Sequence, residues 1–446
     1  MTVTDDPTTG STAGSTDDAV TDPGLGSAAA TEAPSPDPAA YLRGYNATAA
    51  LRGFSELAKG SGYVISRALS QATSPRRNVE DATRWWGHVL GRRRPRWHNE
   101  HTIAFETPIA RLRDFSQGST DAVVPTLVLP PQAGHDSCIV DFAPRQSQMM
   151  TIREAGLTRA YTLDWVGAVP GTPTAGTTVE DYMAVVDRAV EHCRSETGRD
   201  AVNLVGDCQG GWLATIYAAL HPDKVNTLTL AGAPIDFHAG ETPIGASSRV
   251  YTQRYGQLLY RAMVAAGRGV MPGSFVLGGF IAIRPDAEIS KHVDLLRHLD
   301  DAEAIARYEA FEDWFKHTQD ISGTFYLWLV KHLFGGNELI TGELEVGGRK
   351  VDMRAISCPL LLLGGATDHI TPPVQVFAAA DHVGTPAGEV TRRTAPGGHL
   401  GLFMGTQALR HEWPPLMEAV FEHSRPPASA AGPKSNGNGK KKASRS

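Results

Sequence analysis

Two rhythms of apolar positions alternate through the middle of the chain. VVPTLVLPP (123–131), TRAYTLDW (158–165), AVNLVG (201–206) and VNTLTLAG (225–232) are short, nearly unbroken apolar runs bounded by turn residues, and they predict strands. Between them, RQSQMMTIREAG (145–156), TVEDYMAVVDRAVEHC (178–193) and QGGWLATIYAALHP (209–222) repeat their apolar positions every three to four residues. In the second of these, Tyr182, Val185, Val186, Ala189, Val190 and Cys193 fall on one helical face. Strands that are apolar throughout belong in a parallel sheet covered on both faces, so the fold class is α/β, a mostly parallel sheet flanked by helices. The strand signal returns in CPLLLLGGATD (358–368). The intervening stretch, about 236–356, is periodic in RVYTQRYGQLLYRAMVAA, AEAIARYEAFEDWFKH and GTFYLWLVKHLF. A helical insertion of that length between two strands predicts a cap over a site. LRGFSELAKGSGYVISRALSQ and NVEDATRWWGHVLG read as two amphipathic helices ahead of the sheet.

Composition bounds this picture at both ends. Residues 1–40 are rich in Thr, Ser, Ala, Gly, Pro and Asp and contain no Lys or Arg, which predicts a disordered acidic tail. Residues 425–446 end in GKKKASRS and predict a disordered basic tail, solvated or touching a polyanion. The catalytic domain is therefore expected over 41–424. A net charge of −6 over 446 residues gives the body of the chain no reason to bind nucleic acid. The longest apolar run, Phe275 to Ile283, is too short for a transmembrane segment. Cys138, Cys193, Cys208 and Cys358 show neither a C-x-x-C pair nor metal spacing. Free thiols, no metal and a cytoplasmic location are the expectation.

GDCQGG (206–211) has the spacing of a nucleophile elbow, with Cys208 where a serine is common. Gly206 and Gly210 flank it because strand and helix nearly collide at such a turn. At the helix N-terminus the dipole favours a thiolate, the reactive form of cysteine. The backbone N–H of Gln209 is expected as one oxyanion donor, with Gln132 or Ala133 in LPPQAGHD supplying the second. A partner acid and base should follow in the order nucleophile, acid, base. Asp368 comes directly after a late strand, and His399 lies in the glycine-rich APGGHLGLFMG, so Cys208, Asp368 and His399 fit. Asp236, in GAPIDF, is the alternative acid, and His369 is expected to be structural or to sit at the rim.

GDCQGGWLATIYAALHPDKVNTLTLAGAPIDF, FGGNELITGELEVGGRKVDMRAISCPLLLLGGATDHITPP and PGGHLGLFMG together resemble the polyhydroxyalkanoate (poly-3-hydroxybutyrate) synthases of the α/β-hydrolase superfamily. The similarity spans about residues 120–410 and is nearest to the short type that pairs with a second subunit. It implies an α/β-hydrolase fold and transfer of hydroxyacyl groups from CoA thioesters to a growing polyester. Cys208 would then be the nucleophile, His399 the base and Asp368 the acid. No separate cofactor is implied, because CoA enters as part of the hydroxyacyl-CoA substrate. The implied partners are a polyester granule surface and a homodimer or second synthase subunit. Asp207 stands where the family more often has an apolar or aromatic residue, and Trp212 where a smaller one is usual. Both positions are expected to bear on substrate selection. The same elbow and partners also serve a cysteine-nucleophile hydrolase (thioesterase, esterase or polyester depolymerase), in which only access of water differs. A non-catalytic binding module is the third reading.

Overall fold

The structure is a computed structural model and describes residues 37–70 and 75–425. The two tails expected from composition lie outside the described residues, except that the first helix already begins at Pro38. Eight strands form the central sheet: β1 (Thr102–Glu106), β2 (Ala110–Asp114), β3 (Thr126–Leu129), β4 (Ala160–Trp165), β5 (Val202–Asp207), β6 (Val225–Ala231), β7 (Leu360–Gly365) and β8 (Val390–Ala395). Their spatial order is β1-β2-β4-β3-β5-β6-β7-β8. β2 runs antiparallel to both β1 and β4, and the other pairings are parallel. This is the strand order of an α/β-hydrolase fold. β3 to β7 are buried at every position but Asn226 of β6, as unbroken apolar runs require when helices cover both faces.

The pattern of apolar runs does not reveal β1, β2 and β8. All three carry polar, partly exposed side chains; in β8, Val390–Ala395 reads VTRRTA and only Ala395 is buried. They lie at or next to the edges of the sheet, where one side faces water and the apolar signal fades.

The helices begin with α1 (Pro38–Ser70) and α2 (Pro75–Leu90), followed by α3 (Gln148–Glu154), α4 (Val179–Thr197) and α5 (Gln209–Leu220). α4 opens with a reciprocal capping box between Thr178 and Asp181. α5 is buried along nearly its whole length, from Gln209 to Ala219. Between β6 and β7 the chain forms α6 (Pro243–Tyr255), α7 (Leu258–Ala266), α8 (Gly273–Ile283), α9 (Pro285–Arg297), α10 (Ala302–Phe315) and α11 (Gly323–Leu329). The single periodic stretch read over 249–266 is two helices. The chain breaks at Gly256 and Gln257, which both take positive φ (53° and 66°). α1 lies across this cap against α9 and α6. Gly60 permits the close crossing, since a Cβ there would come 2.7 Å from Val293. Among the described residues no helix is long and apolar enough to cross a membrane.

The tightest contact in the fold is at Gly210. A Cβ at that position would lie 1.9 Å from the carbonyl oxygen of Leu129 at the end of β3. Neither main chain can yield without dislocating β3 from β5. Gly210→Ala is therefore expected to destabilise the protein by on the order of 3 kcal/mol or more, read as a fall in the urea midpoint at unchanged m-value.

Candidate active site

β5, β6, β7 and β8 are consecutive neighbours in the sheet, and the loops at their carboxyl ends meet at one place. Cys208 occupies the turn from β5 to α5 with φ 50° and ψ −115°. An L-residue holds such a conformation only where its surroundings dictate it. Here the Cys208 N–H donates to the carbonyl of Ala231 at 2.8 Å, and its own carbonyl accepts from the Gly211 N–H at 2.9 Å. The glycines at 206, 210 and 211 make the turn possible. A Cβ on Gly206 would sit 2.4 Å from Gly211 Cα, and one on Gly211 would sit 2.2 Å from Ala233 Cβ.

Asp368 follows β7 and His399 follows β8. His399 Nδ1 bonds Asp368 Oδ2 at 2.7 Å, with both side chains buried. The other oxygen of Asp368 accepts from the backbone N–H groups of Ile370 and Thr371 at 2.9 and 2.8 Å. The carboxylate is thus fixed before it meets the ring. With Nδ1 engaged, Nε2 is the nitrogen left for Cys208, which is within hydrogen-bonding reach of His399. Burial opposes a charge on the ring, but the Asp368 carboxylate and the Cys208 sulfur outweigh it and hold the imidazolium well above the usual histidine range.

The structure thereby brings Cys208, His399 and Asp368 into one connected set. Asp236 is elsewhere: its Oδ1 accepts from the N–H groups of His238 and Ala239 and from Asn337 Nδ2, forming the turn into the cap. Cys208 and His399 open onto a cavity of about 1070 Å³ that Ala133 and His369 also line. Gln132 instead directs its side chain away and donates to the Tyr182 hydroxyl at 2.6 Å. Gln209 is the first residue of α5, buried beside the elbow.

Asp207 and Trp212 do not line this cavity, contrary to the expectation that both select substrate. Trp212 is 1% exposed and packs on Phe325 and Trp328 of α11, so it serves as a footing for the cap. Asp207 is fully buried and accepts from Gln148 Nε2 of α3 at 3.1 Å.

The cap gives the cavity wall both rings, Phe280, Phe311, Trp314 and Phe315, and charged residues such as Arg284, Glu288 and Lys291; Arg52 and Lys59 of α1 extend it. His135 ties this cap to the loop after β3. Its ring stacks on Trp314 and Phe315 with centroids 4.9 and 5.5 Å apart, and Nε2 lies 3.0 Å from the Phe315 carbonyl. Burial pushes its pKa down to about 4, so the ring is neutral at ordinary pH. Two further bonds join the same segments, from Trp314 Nε1 to the Asp136 carbonyl and from Gln319 N–H to the Gly134 carbonyl, each 2.8 Å. No local pattern announces this seam, because its two sides are about 180 residues apart.

In the cap wall, ligand atoms of Glu288, His292 and Glu312 lie within 4.8 Å of one another, a spacing that can hold a metal ion. Lys291 bonds both carboxylates, and Lys316 and Arg92 bond one each. With three cations engaged on two carboxylates, the cluster reads as an ion-pair network.

Residues 107–420 match the model of a family described as a protein of unknown function (DUF3141). Among curated proteins, the poly(3-hydroxyalkanoate) polymerase subunit PhaC of Allochromatium vinosum is 29% identical over 258 residues, covering 57% of this chain and 69% of that protein. The PhaC subunit of Haloferax mediterranei is 28% identical over 290 residues, covering 64% of this chain and 56% of its own length. Among solved structures, the monoacylglycerol lipase of Paleococcus ferrophilus is 18% identical with a TM-score of 0.40, covering 68% of this chain and 97% of that one.

The raised pKa of His399 has a consequence for pH. Its folded value lies above the ordinary ~6.5, so its ionic contact with Asp368 stabilises the fold fully below that value. The contribution fades as pH rises through the folded pKa. Asp368→Asn is expected to lower the His399 titration by about one pH unit or more, followed by NMR of the ring protons. An unmoved titration would mean that Asp368 does not hold the proton.

Proposed function

We propose that this chain, which belongs to the DUF3141 family and is related to the poly(3-hydroxyalkanoate) polymerases within the α/β-hydrolase superfamily, is an acyltransferase that works through a Cys208–His399–Asp368 triad. The observation that carries this reading is the connected set of these three residues, with Asp368 and His399 buried and with Cys208 and His399 opening onto a cavity of about 1070 Å³. The relatives' activity supplies the substrate class, a hydroxyacyl-CoA thioester.

In the first half-reaction Cys208, its proton already resting on His399 Nε2, attacks the thioester carbonyl carbon as the thiolate. The N–H of Gln209, with Ala133 or Gln132 from the facing loop, stabilises the oxyanion. The bond to the CoA sulfur then breaks, and His399 returns its proton to that leaving thiolate. One thioester replaces another, so the step is close to isoenergetic. In the second half-reaction His399 takes the proton of an incoming hydroxyl, whose oxygen attacks the acyl-Cys208 carbonyl. Cys208 leaves as the thiolate beside the protonated ring, and an ester is formed. Asp368 holds the ring tautomer and stabilises the imidazolium throughout. The aromatic wall from the cap would receive the acyl chain and keep water from the acyl-enzyme. A polyester granule surface and a homodimer or second synthase subunit are the partners that the relationship brings to this reading.

Cys208→Ala is expected to abolish labelling by a radiolabelled 3-hydroxybutyryl-CoA. Labelling equal to that of the wild type would remove Cys208 from the chemistry. Transfer is separated from hydrolysis by measuring free CoA, free hydroxy acid and insoluble polymer after incubation with the same thioester. CoA release with polymer is the expected result, and CoA release with only monomeric acid would establish the hydrolase instead.

A further inference from the structure

Directly behind the nucleophile, two buried polar atoms are left without partners. Asp207 and Gln148 are both fully buried, and Gln148 Nε2 donates to Asp207 Oδ1 at 3.1 Å. Asp207 Oδ2 and Gln148 Oε1, the second atom of each group, have no hydrogen-bond partner. Two acceptors orphaned on planar groups that already share one bond is the pattern left when a proton between them is missing. We infer that Asp207 is a neutral carboxylic acid whose O–H donates to Gln148 Oε1, closing a cyclic acid–amide pair that positions the elbow without adding charge beside Cys208.

The surroundings favour the neutral form. A carboxylate buried on one bond from a neutral amide would be left largely uncompensated. Burial pushes the Asp207 pKa up to about 8, against the bond from Gln148 and the attraction of His399. Gln148 and His399 are the groups that act on it, Cys208 adjoins it in the chain, and Asp368 lies beyond His399. The thiolate, imidazolium and Asp368 carboxylate already sum to one negative charge. A second carboxylate would repel the thiolate at the moment it forms. Asp207 is thus a positioning residue: it anchors the last residue of β5 and stays neutral until the pH exceeds about 8.

Asp207→Asn tests this, because asparagine can make both bonds of the pair and cannot ionise. The folded acid keeps a proton that the unfolded chain loses above its ordinary ~3.9. Wild-type stability should therefore fall as pH rises from there to about 8, and the variant should escape that fall. The melting temperature of the variant should exceed that of the wild type by a margin that grows across this window. Alkylation of Cys208 by iodoacetamide should match in the two proteins at about pH 6 to 7. The wild type should drop below the variant above about 8. Difference infrared spectroscopy of wild type against variant should show the carbonyl stretch of a protonated carboxyl at neutral pH. A carboxylate band at neutral pH, a pH-independent melting difference, or a constant offset in alkylation rate would each overturn the inference. These readouts need no acyl substrate, so their failure is distinct from failure of the acyltransferase reading.

Discussion

Everything in this site depends on how closely α5 approaches the ends of β3 and β5. The helix begins within a residue of the strand, and its second residue, Gly210, leaves no space for a methyl group against the Leu129 carbonyl. That approach forces Cys208 to positive φ and puts its sulfur at the start of a helix whose peptide dipoles favour negative charge there. It also sets the height at which the loops after β7 and β8 must arrive for His399 to reach the sulfur. The fold holds the strain at one residue through burial on every side of α5, which has almost no exposed surface with which to relax.

The parallel centre of the sheet and the Cys208, Asp368, His399 order were legible in the sequence because each leaves a local mark. The strands are unbroken apolar runs, the elbow is a glycine pattern, and Asp368 and His399 sit where strands end. What was not legible depends on pairs distant in sequence. Asp236 and Asp368 both follow strands, and only the turn that consumes Asp236, with Asn337 closing it, separates them. Trp212 stands where the synthases usually have a smaller residue, which points to the pocket, yet helical rotation turns it toward α11. α8 and α9 leave no clean apolar stripe: α9 turns Glu288, Lys291 and Asp294 to the cavity, and α8 contributes little to a packed core. Among α8 residues only Gly273 and Ile283 are buried.

His135 shows how cap and sheet are made to agree. A neutral ring stacked on cap aromatics, with Nε2 against the Phe315 carbonyl, ties the loop after β3 to residues 314–319. The backbone that faces the sulfur is therefore set partly by the cap. A cap residue far from Cys208 can still shift the backbone of residues 133–136 through that seam.

The wall contributed by α1 has a different kind of consequence. Arg52 and Lys59 reach the cavity from a helix laid over the cap from outside the sheet, and the groups that would make and break bonds are fixed by strands elsewhere in the chain. Chemistry and the shape of the entrance are thus encoded in separate stretches of sequence. Substitutions in the outer helix can reshape the entrance without touching the elbow, so kinship in the core need not imply the same entrance.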